Sequence, residues 1–222
     1  KRSTSIFKNV FVYEIYDNDA VKSKIDSVFK LISRKSGQND AFLFYYAGHG
    51  VMLENKEENP DGYYLALHDV TRIYGKEELV RKKGISAVEL KNYCMNIKAQ
   101  KQLFVLDACH SGSAVQNFAF RGSIEEKAIK QLSRSAGIVV LASSGSEQVS
   151  TEYFNLGHGV FTYALLKGLD GEADNGDGKI TVRELDAYLN DKVPELTEKY
   201  RGKKQYPNSR AEGNDFPVAV VR

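Results

Sequence analysis

A chain of 222 residues, with 31 Lys and Arg against 29 Asp and Glu, has room for one substantial core and little net charge to bring to a partner. That balance, without a basic stripe interleaved with aromatics, argues against nucleic-acid binding, and no apolar run nears the roughly 20 residues of a membrane span. The leading KRSTSIFKN lacks the apolar core of a signal peptide, and two cysteines, Cys94 and Cys109, make no disulfide framework, which points to reducing, cytoplasmic surroundings.

Taken in order, Val10 to Val12 with Ile15 read as a short strand, and Asp17-Asn18-Asp19 as the cap of a helix. That helix carries Val21, Ile25, Val28, Phe29 and Ile32 on one stripe and ends at Gly37. Ala41 to Ala47 (AFLFYYA) is apolar enough for a strand buried on both faces, and it breaks into Gly48-His49-Gly50. The polar stretch ENKEENPDG is the tip of a surface hairpin that returns through Tyr63 to Leu67. Ser86 and Glu89 form a capping box for a helix with Leu90, Tyr93, Cys94 and Ile97 inward, which assigns Cys94 to the core. Leu103 to Gly112 (LFVLDACHSG) is a second buried strand that ends in Asp107, Cys109 and His110. A polar segment from Gln116 to Ser135 follows, then a third buried strand, Gly137 to Ala142, opening into the loop Ser143-Ser144-Gly145-Ser146. From Gly159 a helix turns Val160, Phe161, Ala164 and Leu165 to one side.

The chemistry gathers where strands end, because open α/β sheets bind ligands at the carboxyl ends of their strands. A cysteine there is presented to a cleft, which makes Cys109 a candidate nucleophile, although a lone cysteine is more often a small buried hydrophobe. His49 changes the balance: two buried strands that deliver an imidazole and a thiol to one sheet edge meet the need of thiol catalysis, in which the imidazole takes the thiol proton and later protonates the leaving amine. The glycines beside His49 let backbone approach a substrate and turn N–H groups toward a developing oxyanion. Asp107 is either a structural acid bonded to backbone N–H groups or the floor of a pocket for a basic side chain. Of the other histidines, His110 reads as structural, His158 as part of a loop-to-helix turn, and His68 has no identifiable partner. Ala173 to Glu184 imitates a calcium-binding EF-hand loop, with Asn175, Asp177 and Glu184 on ligand positions but Ala173 at the first. A polar turn into a helix capped by Thr181, with Glu184 as its box partner, accounts better for that stretch.

The pair YYAGHG and LDACHSG, about 60 residues apart, resembles the histidine and cysteine motifs of the caspase-like cysteine peptidases, with aspartate before the cysteine as in metacaspases and bacterial caspase homologues. The resemblance implies an α/β fold: a mostly parallel sheet flanked by helices on both faces, a three-layer sandwich, in one peptidase domain over residues 1–222. It implies His49 as base and acid, Cys109 as nucleophile, and the N–H groups of Gly50 and Cys109 as the oxyanion hole. Asp107 then selects arginine or lysine, with Ser143, Ser144 and Glu147 lining the substrate site. The segment 116–135 becomes an intersubunit linker in a zymogen activated by autocleavage or by an upstream protease, with Arg121, Lys127, Lys130 and Arg134 as processing sites. The family's first strand and helix would precede Val10, so a complementary N-terminal fragment, either cleaved from the same protein or continuous with it outside this sequence, is an expected partner beside protein substrates rich in basic residues. No cofactor is implied: calcium-dependent metacaspases carry an aspartate where Gln116 stands. The alternatives are a catalytically silent caspase-like scaffold or dimerisation module and, on the imperfect loop alone, a calcium-binding regulatory domain.

Overall fold

A computed structural model describes residues 6–53, 62–73, 75–110, 139–143, 159–202, 204–211 and 214–221. In chain order the elements are α1 (Lys22–Lys35), β1 (Ala41–Met52), β2 (Tyr63–Ala66), α2 (Glu77–Lys83), β3 (Ile85–Ser86), α3 (Ala87–Asn96), β4 (Lys101–His110) and β5 (Val139–Ala142). They continue with α4 (Val160–Lys167), β6 (Lys179–Thr181), α5 (Val182–Arg201), β7 (Asn208–Ala211) and β8 (Pro217–Val220). The apolar runs of the sequence become the middle of a six-stranded sheet of order β3-β2-β1-β4-β5-β7. β1, β4 and β5 run parallel there, as buried crossover strands do. β2 and β7 run antiparallel to these three, β3 pairs antiparallel with β2 and so runs in the direction of β1, and β6 pairs with β8 in a small second sheet.

Strand alternation sorts the core into two layers. Phe42, Phe104, Leu106, Val140 and Ala142 point to one face, where α1 brings Ile25 and Phe29 and α3 brings Leu90 and Cys94. Leu103, Val105, Val139 and Leu141 point to the other, against Phe161 and Leu165 of α4 and Leu185, Leu189 and Val193 of α5. Each such side chain, fully buried, stabilises the fold by about 1.5–3 kcal/mol, so the two layers together hold the sheet between them. The mostly parallel sheet with helices on both faces is therefore observed.

Capping follows the sequence where the boxes are strong. Ser86 caps α3 and Thr181 caps α5, each accepting from the backbone N–H of Glu89 or Glu184 while that glutamate accepts from the cap residue's N–H. Lys22 pairs with Glu89 and ties α1 to α3. Burial pushes Glu89 up, but Lys22 and the Ser86 bonds outweigh it and hold the carboxyl below its usual range.

Several expectations are corrected. Val10 to Val12 form no strand: Phe11 and Val12 are each 73 % exposed, and no described strand lies beside them to take their backbone hydrogen bonds. Asp17–Asp19 is a separate 3₁₀ turn rather than a helix cap, and α1 begins after Val21 without a side-chain cap. The helix closes at Ser36, one residue before Gly37. β1 is not buried on both faces, since Leu43 and Tyr45 are 52 % and 43 % exposed. Nor does it break at Gly48: β2 pairs with His49 to Met52 and carries the strand through the glycines. The returning hairpin strand is core rather than surface, with Tyr63, Tyr64 and Leu65 buried. Helix α2 and strands β6, β7 and β8 were not anticipated, being too short to show a period.

Candidate active site

The site is built from the register of two strands. β1 and β4 run parallel from Ala41 opposite Lys101 to Gly50 opposite His110, which sets His49 opposite Cys109 and Ala47 opposite Asp107. Chain positions far apart in sequence thus become neighbours at the carboxyl end of the sheet, His49 with its side exposed. Alternation puts His49 on the same face as Tyr45, the face that α4 and α5 cover further along the sheet.

Tyr46, on the opposite face, fixes the backbone at the histidine. Its single hydroxyl proton lies between two carbonyls, that of Ala66 at 2.6 Å and that of His49 at 3.1 Å, so one ring staples β1 to the strand beside it. The ring crosses Gly48, where a Cβ would stand 2.7 Å from the ring carbon Cζ. Burial pushes the Tyr46 phenol far up, which keeps it a donor. Gly50 is similarly committed, because a Cβ there would meet the Tyr63 hydroxyl at 2.7 Å. The glycines around His49 are thus required by two tyrosine rings packed on them. Gly50→Ala is expected to cost about 1–3 kcal/mol by overpacking, a thermal midpoint lower by several degrees, read by calorimetry.

Asp107 lies under the first turn of α4. Its carboxylate accepts a short hydrogen bond from the Thr162 hydroxyl, and Thr162 is 2.8 Å from the Tyr45 hydroxyl. Among the described residues the hydrogen bond to this carboxylate comes from Thr162. Ser143 stands at the end of β5, its N–H donating to the carbonyl of Leu106 at 3.0 Å; the side chain is buried and its hydroxyl finds no partner among the described residues. Ser144, Glu147, His158, Gln116 and the processing candidates Arg121, Lys127, Lys130 and Arg134 lie outside the described residues.

His68 acquires a setting. A cavity of about 300 Å³ beside the end of β1 is lined by Asp17, Tyr46, His49, Leu67, His68 and Ile73 among others, and the His68 N–H donates to the carbonyl of Ala20 at 3.0 Å. Sequence reasoning missed Tyr45, Tyr46 and Thr162 at the site. For the tyrosines the signal was present, two phenols just ahead of GHG on a strand whose faces alternate; for Thr162, one hydroxyl on an apolar helix, there was none.

Cys94 is core. It is 1 % exposed, its thiol donates to the carbonyl of Leu90 at 3.0 Å, and burial pushes it up to about 12. It stays protonated and sheltered, so native protein treated with iodoacetamide near neutral pH is expected to leave Cys94 unmodified and to label it only after denaturation, read by peptide mass spectrometry.

The EF-hand-like stretch places Asp174, rather than the Ala173 position, with Asp177 and Glu184; the three carboxylates come within 4.8 Å of one another. They serve the turn and the cap, with Asp174 accepting from the N–H groups of Gly176 and Gly178, Asp177 from Lys179 and Glu184 from Asn175 and Thr181.

The caspase domain family matches residues 4–216. The chain belongs to that family. Members of the caspase domain family are cysteine peptidases in general, and the six-stranded sheet between two helical layers agrees with that membership. Among solved structures, protein GSU0716 from Geobacter sulfurreducens is similar, with a TM-score of 0.56 and 18 % identity over 95 % of this chain and 78 % of that one; at this identity the likeness is one of fold. No curated protein matches the sequence significantly. Among the described residues no helix is long and apolar enough to cross a membrane.

Proposed function

We propose that the chain is a cysteine endopeptidase that cleaves after arginine or lysine through the dyad Cys109 and His49. The observation that carries the reading is the register of β1 on β4, with His49 opposite Cys109 and Asp107 two positions earlier on the same strand. His49 takes the Cys109 proton, the thiolate attacks the scissile carbonyl, and the Gly50 and Cys109 N–H groups stabilise the oxyanion. The protonated imidazole then gives its proton to the leaving amine, and a thioester joins the substrate's acyl half to Cys109. Water, deprotonated by His49, attacks the thioester and releases acid and thiol. No step calls for a cofactor. A thiolate nucleophile suits the reducing cytoplasm. Asp107 supplies the negative charge that a basic side chain needs on leaving water.

A peptide with a terminal arginine and a thiol-reactive warhead tests the reading against a silent scaffold: it should modify Cys109, traced by peptide mapping, and absence of modification would favour the scaffold. The partner expectation has support in the sheet. Along Ala41 to Gly48, β1 pairs with β4 on one edge, and among the described residues the other edge is reached by β2 only from His49 onward. That open edge suits a strand from a complementary N-terminal fragment of the same protein. Activation by self-cleavage at Arg121, Lys127, Lys130 or Arg134, or by an upstream protease, is the remaining part of the proposal. Incubated enzyme and its Cys109→Ala variant are expected to differ in fragment pattern on a denaturing gel; identical patterns would remove self-cleavage from the scheme.

A further inference from the structure

We infer that Tyr45 and Thr162 are positioning residues that orient the Asp107 carboxylate toward a basic substrate side chain. The inference rests on the reading of Asp107 as the specificity acid. It grows from a chain of hydroxyls that crosses three elements: Tyr45 on β1, Thr162 on α4, Asp107 on β4. Thr162 has one hydroxyl proton, and that proton goes to Asp107 Oδ2. The contact of 2.8 Å between Tyr45 and Thr162 is therefore donated by the phenol. Burial and the charge of Asp107 both push the Tyr45 phenol up, the Thr162 bond opposing them in part, so the net direction keeps its proton in place at neutral pH. The chain has a fixed direction, phenol to threonine to carboxylate.

An aspartate carboxylate rotates about its last bond, and a rotating carboxylate presents its two oxygens in no settled direction. Thr162 claims Oδ2 and stops the rotation. With Oδ2 held by Thr162, Oδ1 is the oxygen that the proposal offers, in one direction, to a guanidinium or ammonium group. Tyr45 in turn holds the threonine rotamer, and because it stands on the histidine strand it couples the acid to the strand that carries His49.

The test compares two peptide amides that differ only in the residue before the scissile bond, arginine or its neutral isostere citrulline. The ratio of their kcat/KM values reports the charge interaction, and a merely structural lesion would lower both together. Thr162→Val is expected to lower the ratio about tenfold, as loss of a hydrogen bond to a charged group does, mainly by raising KM for arginine. Thr162→Ser keeps the hydroxyl and should restore the ratio. Tyr45→Phe should lower it less, and should add nothing in the Thr162→Val background, because it acts through the threonine. An unchanged ratio in Thr162→Val, in a parent that prefers arginine, overturns the inference alone. A parent that fails to distinguish arginine from citrulline overturns the specificity reading and this inference with it.

Discussion

Cys109→Ala is expected to abolish peptide hydrolysis, by a factor on the order of 10⁵ or more, while the cooperative thermal transition persists. The size of the loss follows from the chemistry: the acyl-enzyme needs a nucleophile, and with only a methyl group there the carbonyl meets no attacking atom, while oxyanion donors and substrate binding alone supply the small remainder. The fold survives because removing one sulfur typically costs on the order of 1 kcal/mol, and the two helical layers grip β4 through Leu103, Phe104, Val105 and Leu106, well before the cysteine. Progress curves with an arginine peptide amide and a melting curve of the same sample check both halves. Retained turnover would mean that the thiol is not the nucleophile.

The second large effect is at Asp107. A guanidinium entering the cleft gives up its hydration, and a carboxylate at close range compensates; truncating one partner of such a pair costs roughly 2–5 kcal/mol, so Asp107→Ala should lower kcat/KM for arginine and lysine substrates at least tenfold. Citrulline substrates should change little, and substrates with aspartate before the scissile bond should remain inert in the parent, facing like charge. Iodoacetamide should label Cys109 in the variant at the parent's rate, which separates a lost pocket from a lost site. A peptide-library profile dominated by acidic residues would remove Asp107 from this role and leave His49 and Cys109 in theirs.

The comparison of chain with fold turns on the range over which each kind of information acts. Apolar runs, capping boxes and motif residues are local, and they were legible: Leu103 to His110 and Ala41 to Gly50 became adjoining strands, Ser86 with Glu89 and Thr181 with Glu184 became capped helices, and Cys94 fell on the buried stripe of α3. The segment Val10 to Val12 misled because apolar content marks a strand only where another strand is at hand to share its hydrogen bonds. The glycines of GHG carry a demand that only the fold shows. In sequence they read as room for a substrate to approach; the fold adds that they are also the two places where the rings of Tyr46 and Tyr63 lie against the backbone.

What the sequence by itself determined was the motif pair, which carried the family resemblance, and the three apolar strands, because each depends on residues within a few positions of one another. Which residue faces which was decided only by the tertiary structure. The one-to-one register of β1 on β4 sets His49 opposite Cys109, and the docking of α4 over the sheet brings the Thr162 hydroxyl to Asp107, 55 positions away in the chain. Neither could be read beforehand, because a strand's register and a helix's seat are set by the summed packing of two core layers rather than by any residue in them.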